Sequence, residues 1–272
     1  MLKTRVKTAC VFVPVCALIV LFSGAPYVLN IAVTLLSLGA VWEICSVTGA
    51  LKERICGVLP LIYALAMLPL NLSVPPAYGI GIAAVMAGTI AFAMRKTHSG
   101  RSVDLTYFGL CIATYSALLF RSLVTLRRME NGLYNLVLMI ACCVATEVAG
   151  YFVGRRWGRH KLAPRVSPHK TFEGSVGGVI ASCALLVIGT AIYASATGAA
   201  VCYGRLLLYG VSGSIAAQLG DLAMSAVKRI AGVKDFSNLL PGHGGLLDRF
   251  DGQLFAAPFT AAFLAFIGGI IA

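Results

Sequence analysis

The chain has 272 residues, of which 59% are hydrophobic and 12% charged, with a formal net charge of +12. A soluble domain carries about 25% charged residues, so most of this chain does not face water. The basic excess lies in short segments between long apolar runs and not over one folded face, which excludes a soluble enzyme and a nucleic-acid binder and leaves an integral membrane protein.

A membrane-crossing helix needs about 20 apolar residues. Nine such runs are predicted, at 8–23, 27–47, 55–72, 77–94, 105–120, 133–153, 174–196, 206–227 and 252–272. The expected fold class is an all-α integral membrane protein of nine transmembrane helices with cytoplasmic active-site loops. Residues 1–130 would carry five spans, and residues 131–272 four catalytic spans with long polar connections at 154–173 and 228–251. Lys3, Arg5 and Lys7 ahead of the apolar run 9–22 resemble the start of a secretory signal. A second apolar run follows almost at once and favours a retained span. Residues 55–94 contain no Asp, Glu, Lys or Arg and are broken only by Pro60, Pro69 and the 71–76 turn, which predicts two helices and a short loop. The nine cysteines lie mostly inside apolar runs, and none has zinc-ligand spacing with a histidine. They read as small apolar fillers.

The positive-inside rule sets the orientation. With the N-terminus in the cytoplasm, the inner segments hold Lys3, Arg5, Lys7, Lys52, Arg54, Arg95, Lys96 and Arg101. They also hold Arg155, Arg156, Arg159, Lys161, Arg165, Lys170, Lys228, Arg229, Lys234 and Arg249, which makes eighteen of the 22 basic residues. Arg121, Arg127, Arg128 and Arg205 remain outside, and the 121–128 cluster fits this arrangement least well.

Ten acidic residues are few enough to take singly. Glu53, Asp104 and Glu130 fall in loops, Asp235 sits beside Lys234, and Glu43 lies near the end of the second span. Glu147 lies about one turn from the end of the sixth span, and Asp221 lies inside the eighth. A charge at the bilayer centre costs about 2.5–3.5 kcal/mol, so such a residue pairs, faces a wet cavity or binds an ion. Lys228 and Arg229 are the bland partners for Asp221. Asp248 and Asp251 are three apart and would share a face if helical. They follow Gly242, Gly244 and Gly245, which allow close backbone approach and offer N–H groups to phosphate. Paired carboxylates there suit a hard divalent cation such as Mg²⁺, whose shell usually includes substrate phosphates. Upstream, Ser167-Pro168-His169-Lys170-Thr171 places hydroxyls and a lysine at the entry of the seventh span, where a helix N-terminus favours an anion. Basic groups, hydroxyls and carboxylates on one membrane face suit phosphoryl or nucleotidyl transfer.

The segment from Ser225 through Lys228-Arg229, Lys234-Asp235, Pro241, His243-Gly244-Gly245 and Asp248-Arg249 to Asp251 closely resembles the motif of the phosphatidate cytidylyltransferases, also called CDP-diacylglycerol synthases. Tyr151 to Arg155, Lys161 to Pro164 and Ser167 to Gly174 resemble that family's other characteristic block. Leu2 to Arg5 and Trp42-Glu43 resemble its N-terminal features. The strong similarity covers about the last half of the chain.

The resemblance implies that CTP and phosphatidate give CDP-diacylglycerol and pyrophosphate at the cytoplasmic face of the cell inner (plasma) membrane. It implies Mg²⁺, with K⁺ as an optional second ion, and it is compatible with a homodimer. Asp221 and Asp248 are the implied metal ligands, with Asp251 and Glu147 as further ones. Asp221, Asp248, Lys228, Arg229 and His243 are the catalytic candidates. Lys170, Ser167, Thr171, Arg155, Ser225, Lys234, Gly244, Gly245 and Arg249 are the substrate-binding candidates. Two positions depart from the family pattern: Glu147 stands where it usually has Asp, and Met224 where it often has Glu. A CTP-dependent lipid kinase is the neighbouring alternative. A transporter would show paired halves, and no internal symmetry is visible.

Overall fold

A computed structural model describes residues 2–25, 27–52 and 105–271. The predicted spans at 55–72 and 77–94, together with Glu53, Arg54, Arg95, Lys96, Arg101 and Asp104, lie outside the described residues. Seven α-helices are described: α1 (Leu2–Leu21), α2 (Val28–Thr48), α3 (Leu105–Arg128), α4 (Gly132–Trp157), α5 (Phe172–Thr197), α6 (Tyr203–Ile230) and α7 (Asp251–Ile267). Between α4 and α5 a small antiparallel hairpin joins β1 (Lys161–Ala163) to β2 (Ser167–Thr171). A 3₁₀ turn, Leu247–Arg249, leads into α7.

Among the described residues, four helices are long and apolar enough to cross a membrane: α2, α4, α5 and α6. The segments Cys10–Gly24 and Asp251–Ile267 are apolar but shorter. The exposed faces of α4, α5 and α6 carry Val144, Val148, Ile180, Ile188, Ile192, Leu207, Val211 and Ile215. Water would oppose such a surface and lipid accepts it. The chain is a helical membrane protein. At 1.5 Å per residue the longest helices span about 40 Å against a hydrocarbon core of about 30 Å, so their ends reach the polar interface.

One hydrophobic core runs from Leu29 and Ile44 of α2 through Phe120, Met139 and Tyr209 to Leu254 and Phe263 of α7. Tyr209 is fully buried, and its hydroxyl lies 2.8 Å from Thr260 Oγ1. A tyrosine is tolerated there because its polar tip has a partner. Helices α4 and α5 meet along a glycine seam. A Cβ on Gly174 would lie 2.6 Å from the Gly150 carbonyl oxygen, and one on Gly178 would lie 2.7 Å from that of Thr146. Small residues let helix backbones approach this closely in lipid.

The helices alternate direction, so their termini gather at two ends. At one end, Thr8 of α1 donates to the Pro241 carbonyl (2.9 Å), and Glu43 of α2 meets the loop before α7. The hairpin lies between the end of α4 and the start of α5. At the other end, Arg127 donates to Ser23 Oγ (2.7 Å) and Arg205 donates to the Gly269 carbonyl (2.9 Å). The described basic segments assigned to one side by charge thus gather at one end, and Arg127 and Arg205 lie at the opposite end.

Three local features differ from the sequence expectation. Helix α3 runs on to Arg128, so Arg121 is buried within a helix and does not lie in a loop. The 154–173 connection contains a hairpin, and α4 absorbs Arg155 and Arg156. Helix α7 stops at Ile267, because Gly268 adopts a φ of 99° and the chain turns back to bridge Val201 with Ile271. All eight described cysteines are free.

Candidate active site

The last turns of α4, the hairpin, the start of α5, the second half of α6 and the start of α7 enclose a cavity of about 560 Å³. Each wall contributes a different chemistry. Glu147 comes from α4, Asp221 from α6 and Asp251 from the first residue of α7. Arg155, Lys161, His169 and Lys170 come from the end of α4 and from the hairpin. Glycines at 150, 154, 158, 174 and 252 also line it, and a Cβ on each would meet protein atoms 2.2–3.3 Å away, so they set how closely its walls approach.

Lys170 and Asp221 form an ion pair at 2.5 Å across the cavity, each about a quarter to a third exposed. Asp221 also accepts from Ser225 Oγ (3.3 Å). The intramembrane aspartate therefore takes its partner from β2, not from Lys228 or Arg229. Arg155 donates to the Tyr151 hydroxyl (3.2 Å). Thr171 caps α5: its hydroxyl accepts from the Gly174 amide (3.1 Å). Glu173 accepts from the amides of Arg159 (3.1 Å) and His160 (3.2 Å), and His160 Nδ1 lies 2.6 Å from the same carboxylate. That glutamate closes the base of the hairpin and fixes where Lys170 stands.

A polar rail runs along the cavity wall. Thr146 donates to Ser214 Oγ (2.8 Å), Gln218 Nε2 donates to Ser214 Oγ (3.4 Å) and to the Ser175 carbonyl (3.3 Å), and Ser175 Oγ bonds to Gln218 Oε1. Thr146, Ser175 and Gln218 all line the cavity. The sequence reading singled out none of these three, nor Lys161 or His169 as site residues. The available signal was the presence of Thr, Ser and Gln inside otherwise apolar helices, where polar side chains seek each other.

The remaining acidic residues do something else. Asp248 is 7% exposed and does not line the cavity. Lys228 Nζ donates to its Oδ1 (2.7 Å), while the amides of Phe236 and Gly245 donate to its Oδ2 (2.9 Å each). Lys228 is itself buried and lies over the Phe236 ring at 5.5 Å. Asp248 and Asp251 do not share a face. Asp248 sits in the 3₁₀ turn and points into the loop, while Asp251 begins α7 after Phe250 breaks the helical path at φ −121°. Gly244 has a φ of 85°, and a Cβ there would meet Asp248 Oδ2 at 3.0 Å.

Glu43 is completely buried. It accepts from Ser237 Oγ (2.6 Å) and the Leu246 amide (2.7 Å) on one oxygen and from the Leu247 amide (2.8 Å) on the other. A Cβ on Gly245 would lie 2.7 Å from both of those oxygens. Arg229 donates to the carbonyls of Val166 (3.2 Å) and Val233 (3.0 Å), tying the hairpin to the end of α6. Lys234 and Arg249 are exposed, and Ser167 is half-buried in β2. None of Ser167, Lys234 and Arg249 lines the cavity, although Arg249 lies within electrostatic range of Glu147. The His243 amide donates to the Leu240 carbonyl (2.8 Å), and its Nδ1 is buried with no partner among the described residues.

Among the described residues no group of three His, Cys, Asp or Glu side chains forms a ready metal cage. The donor chemistry suits a hard divalent cation all the same. Three carboxylates face one cavity, and Mg²⁺ typically takes one or two carboxylates and completes its shell with water and phosphate oxygens.

A sequence model described as the cytidylyltransferase family matches residues 3–267. A phosphatidate cytidylyltransferase of Bacillus subtilis is 41% identical over 156 residues, 56% of either chain. One of Brucella suis is 42% identical over 189 residues, 69% of this chain and 65% of the relative. One of Staphylococcus haemolyticus is 41% identical over 129 residues, 47% of this chain and 48% of the relative. The chain thus spans between about half and two thirds of the length of these curated relatives.

Proposed function

We propose that this chain, which belongs to the cytidylyltransferase family, transfers CMP from CTP to phosphatidate to give CDP-diacylglycerol and pyrophosphate. The observation that carries the reading is the cavity itself. Arg155, Lys161 and Lys170 face Asp221, Glu147 and Asp251 across a space of about 560 Å³, at one end of an apolar helical bundle. A triphosphate needs the cations, a lipid substrate needs the membrane, and phosphoryl chemistry is mostly positioning and charge neutralisation. The names of the relatives support the same substrates.

In this reading a phosphate oxygen of phosphatidate attacks the α-phosphorus of CTP. A new P–O bond forms, the bond from the α-phosphorus to the bridging oxygen breaks, and the electron pair leaves with pyrophosphate. Lys170, Lys161 and Arg155 hold the phosphates and offset their charge, with Lys170 exchanging its present partner Asp221 for a phosphate oxygen. A divalent cation, when bound, would supply Lewis-acid neutralisation of the phosphates. Asp221, with Asp251 or Glu147 as a second carboxylate, would hold it. Asp248 and Lys228 order the loop that leads into Asp251. The polar rail of Thr146, Ser175 and Gln218 lies where an uncharged polar part of a ligand would rest. The cavity end faces the cytoplasm, where CTP is found, which agrees with the positive-inside count.

The test is purified protein in detergent with Mg²⁺, CTP and phosphatidate. The expected products are CDP-lipid and one pyrophosphate per turnover. Release of CDP with a phosphorylated lipid alcohol would instead identify a kinase, and no nucleotide turnover would sink both readings.

A further inference from the structure

Among the described residues none from the first two helices lines the cavity, yet one of their side chains is among the most heavily bonded carboxylates in the described structure. Glu43 has no exposed surface, and no lysine, arginine or histidine pairs with it among the described residues. Among the described residues the carboxylate is met by donors of one loop: the Ser237 hydroxyl and the consecutive amides of Leu246 and Leu247. Those amides open the 3₁₀ turn Leu247–Arg249, so the carboxylate sits where unsatisfied N–H groups point. Asp248 holds the same loop from the other side, through the amides of Phe236 and Gly245 and through Lys228. The two buried carboxylates clamp the segment between them. Three residues beyond Asp248 the chain delivers Asp251, Gly252 and Gln253 to the cavity wall.

We infer that Glu43 is a positioning residue for the proposed reaction. It acts from α2 through the 237–247 loop to fix where Asp251 enters the cavity, so the N-terminal helices form part of the catalytic frame. A merely space-filling residue would not need a charge in this place, since burying a carboxylate is costly unless every bond to it is made. A glutamine keeps the volume, but its amide –NH₂ replaces one acceptor and faces an N–H donor. Glu43→Gln therefore leaves one of the three donors unmatched and loosens the turn without opening a cavity.

The inference rests on the cytidylyl-transfer reading for its activity readout, and a second readout does not depend on that reading. In hydrogen exchange, the peptide covering 236–250 should exchange at least tenfold faster in Glu43→Gln than in wild type, while α5 is unchanged. In the CDP-lipid assay, kcat per folded protein should fall at least tenfold, with KM for CTP within about threefold of wild type, an unaltered gel-filtration profile and a melting temperature lowered by a few degrees, as expected when a buried donor loses its acceptor. Ser237→Ala removes one of the three bonds to Glu43, together with the bond from the Leu239 amide to the same hydroxyl (3.1 Å), and should lower kcat two- to fivefold, which keeps the test usable if Glu43→Gln does not insert. Wild-type exchange across 236–250 in either variant, or a turnover loss that merely follows the folded fraction, overturns the inference. If wild type makes no CDP-lipid while exchange responds as expected, the proposed reaction fails and the clamp stands.

Discussion

The carboxylates at the functional end fall into two regions with opposite surroundings. Glu147, Asp221 and Asp251 face a cavity, and Asp221 has a single lysine partner with both side chains partly exposed. Glu43 and Asp248 are buried and meet three donors each. A carboxylate with spare acceptor capacity beside open space can exchange its partner for a ligand. One whose acceptors are filled by backbone amides is committed to holding the chain. Asp248 and Asp251 belong to the same motif and yet fall in different regions, so membership in a motif does not by itself assign a residue to chemistry.

The comparison is tested most severely at Asp221. Asp221→Asn keeps the shape and removes the charge, so it should still insert and elute as wild type. It should lower Mg²⁺-dependent turnover by about 10²–10³, the loss typical of a removed electrostatic stabiliser. Initial rates against Mg²⁺ concentration check this, and wild-type turnover at limiting Mg²⁺ would remove Asp221 from the site. Asp248→Asn, assayed beside it, should show its defect in the folded fraction as well as in rate. A stable, inactive Asp248→Asn would erase the distinction between the two regions.

Lys228 offers the next largest effect. Lys228→Ala strands Asp248 in a buried site, and breaking a buried pair by removing one partner costs about 3–5 kcal/mol. The thermal midpoint in detergent should drop by several degrees. Lys170→Ala leaves Asp221 partly solvated and should barely move that midpoint while weakening CTP binding. Equal destabilisation by the two substitutions would mean that the two ion pairs do not differ in kind.

The smallest effect is expected at Thr171. It carries a predicted substrate role, yet its hydroxyl is engaged as the α5 cap. Thr171→Ala should cost about 1 kcal/mol, read as a small loss of thermal stability, and Thr171→Ser should restore it. A large change in KM that serine fails to rescue would point to direct ligand contact instead.

The described helices were legible because apolar runs of spanning length admit few other folds, and the placing of basic residues sorted their ends. The hairpin was not legible. Strands of three and five residues carry no readable alternation, and a glutamate from the following helix closes their base. The site was half legible. The intramembrane Asp221 declared itself by its cost, but its partner Lys170 lies 51 positions away in sequence, on an element that spacing arguments did not foresee. The separate fates of Asp248 and Asp251 depend on the backbone at Phe250, which no residue pattern announces. Glu43 was readable only as a residue near the end of the second span beside Trp42, and its donors come from about 200 residues further on.

The glycine seam between α4 and α5 also bears on how this protein tolerates inherited change. Any amino-acid replacement of a glycine adds at least a Cβ, and at Gly174 that atom would fall 2.6 Å from the Gly150 carbonyl oxygen and 3.1 Å from the Gly154 Cα. The Thr171 hydroxyl, at 3.0 Å, could rotate aside, but these two neighbours are main chain and cannot. Even alanine, the mildest missense change, would have to part the two helices that carry Glu147, Arg155 and Ser175 into the cavity. In a mutational scan read out by growth, Gly174 should therefore look as intolerant as a ligand-binding residue, although its constraint is main-chain clearance.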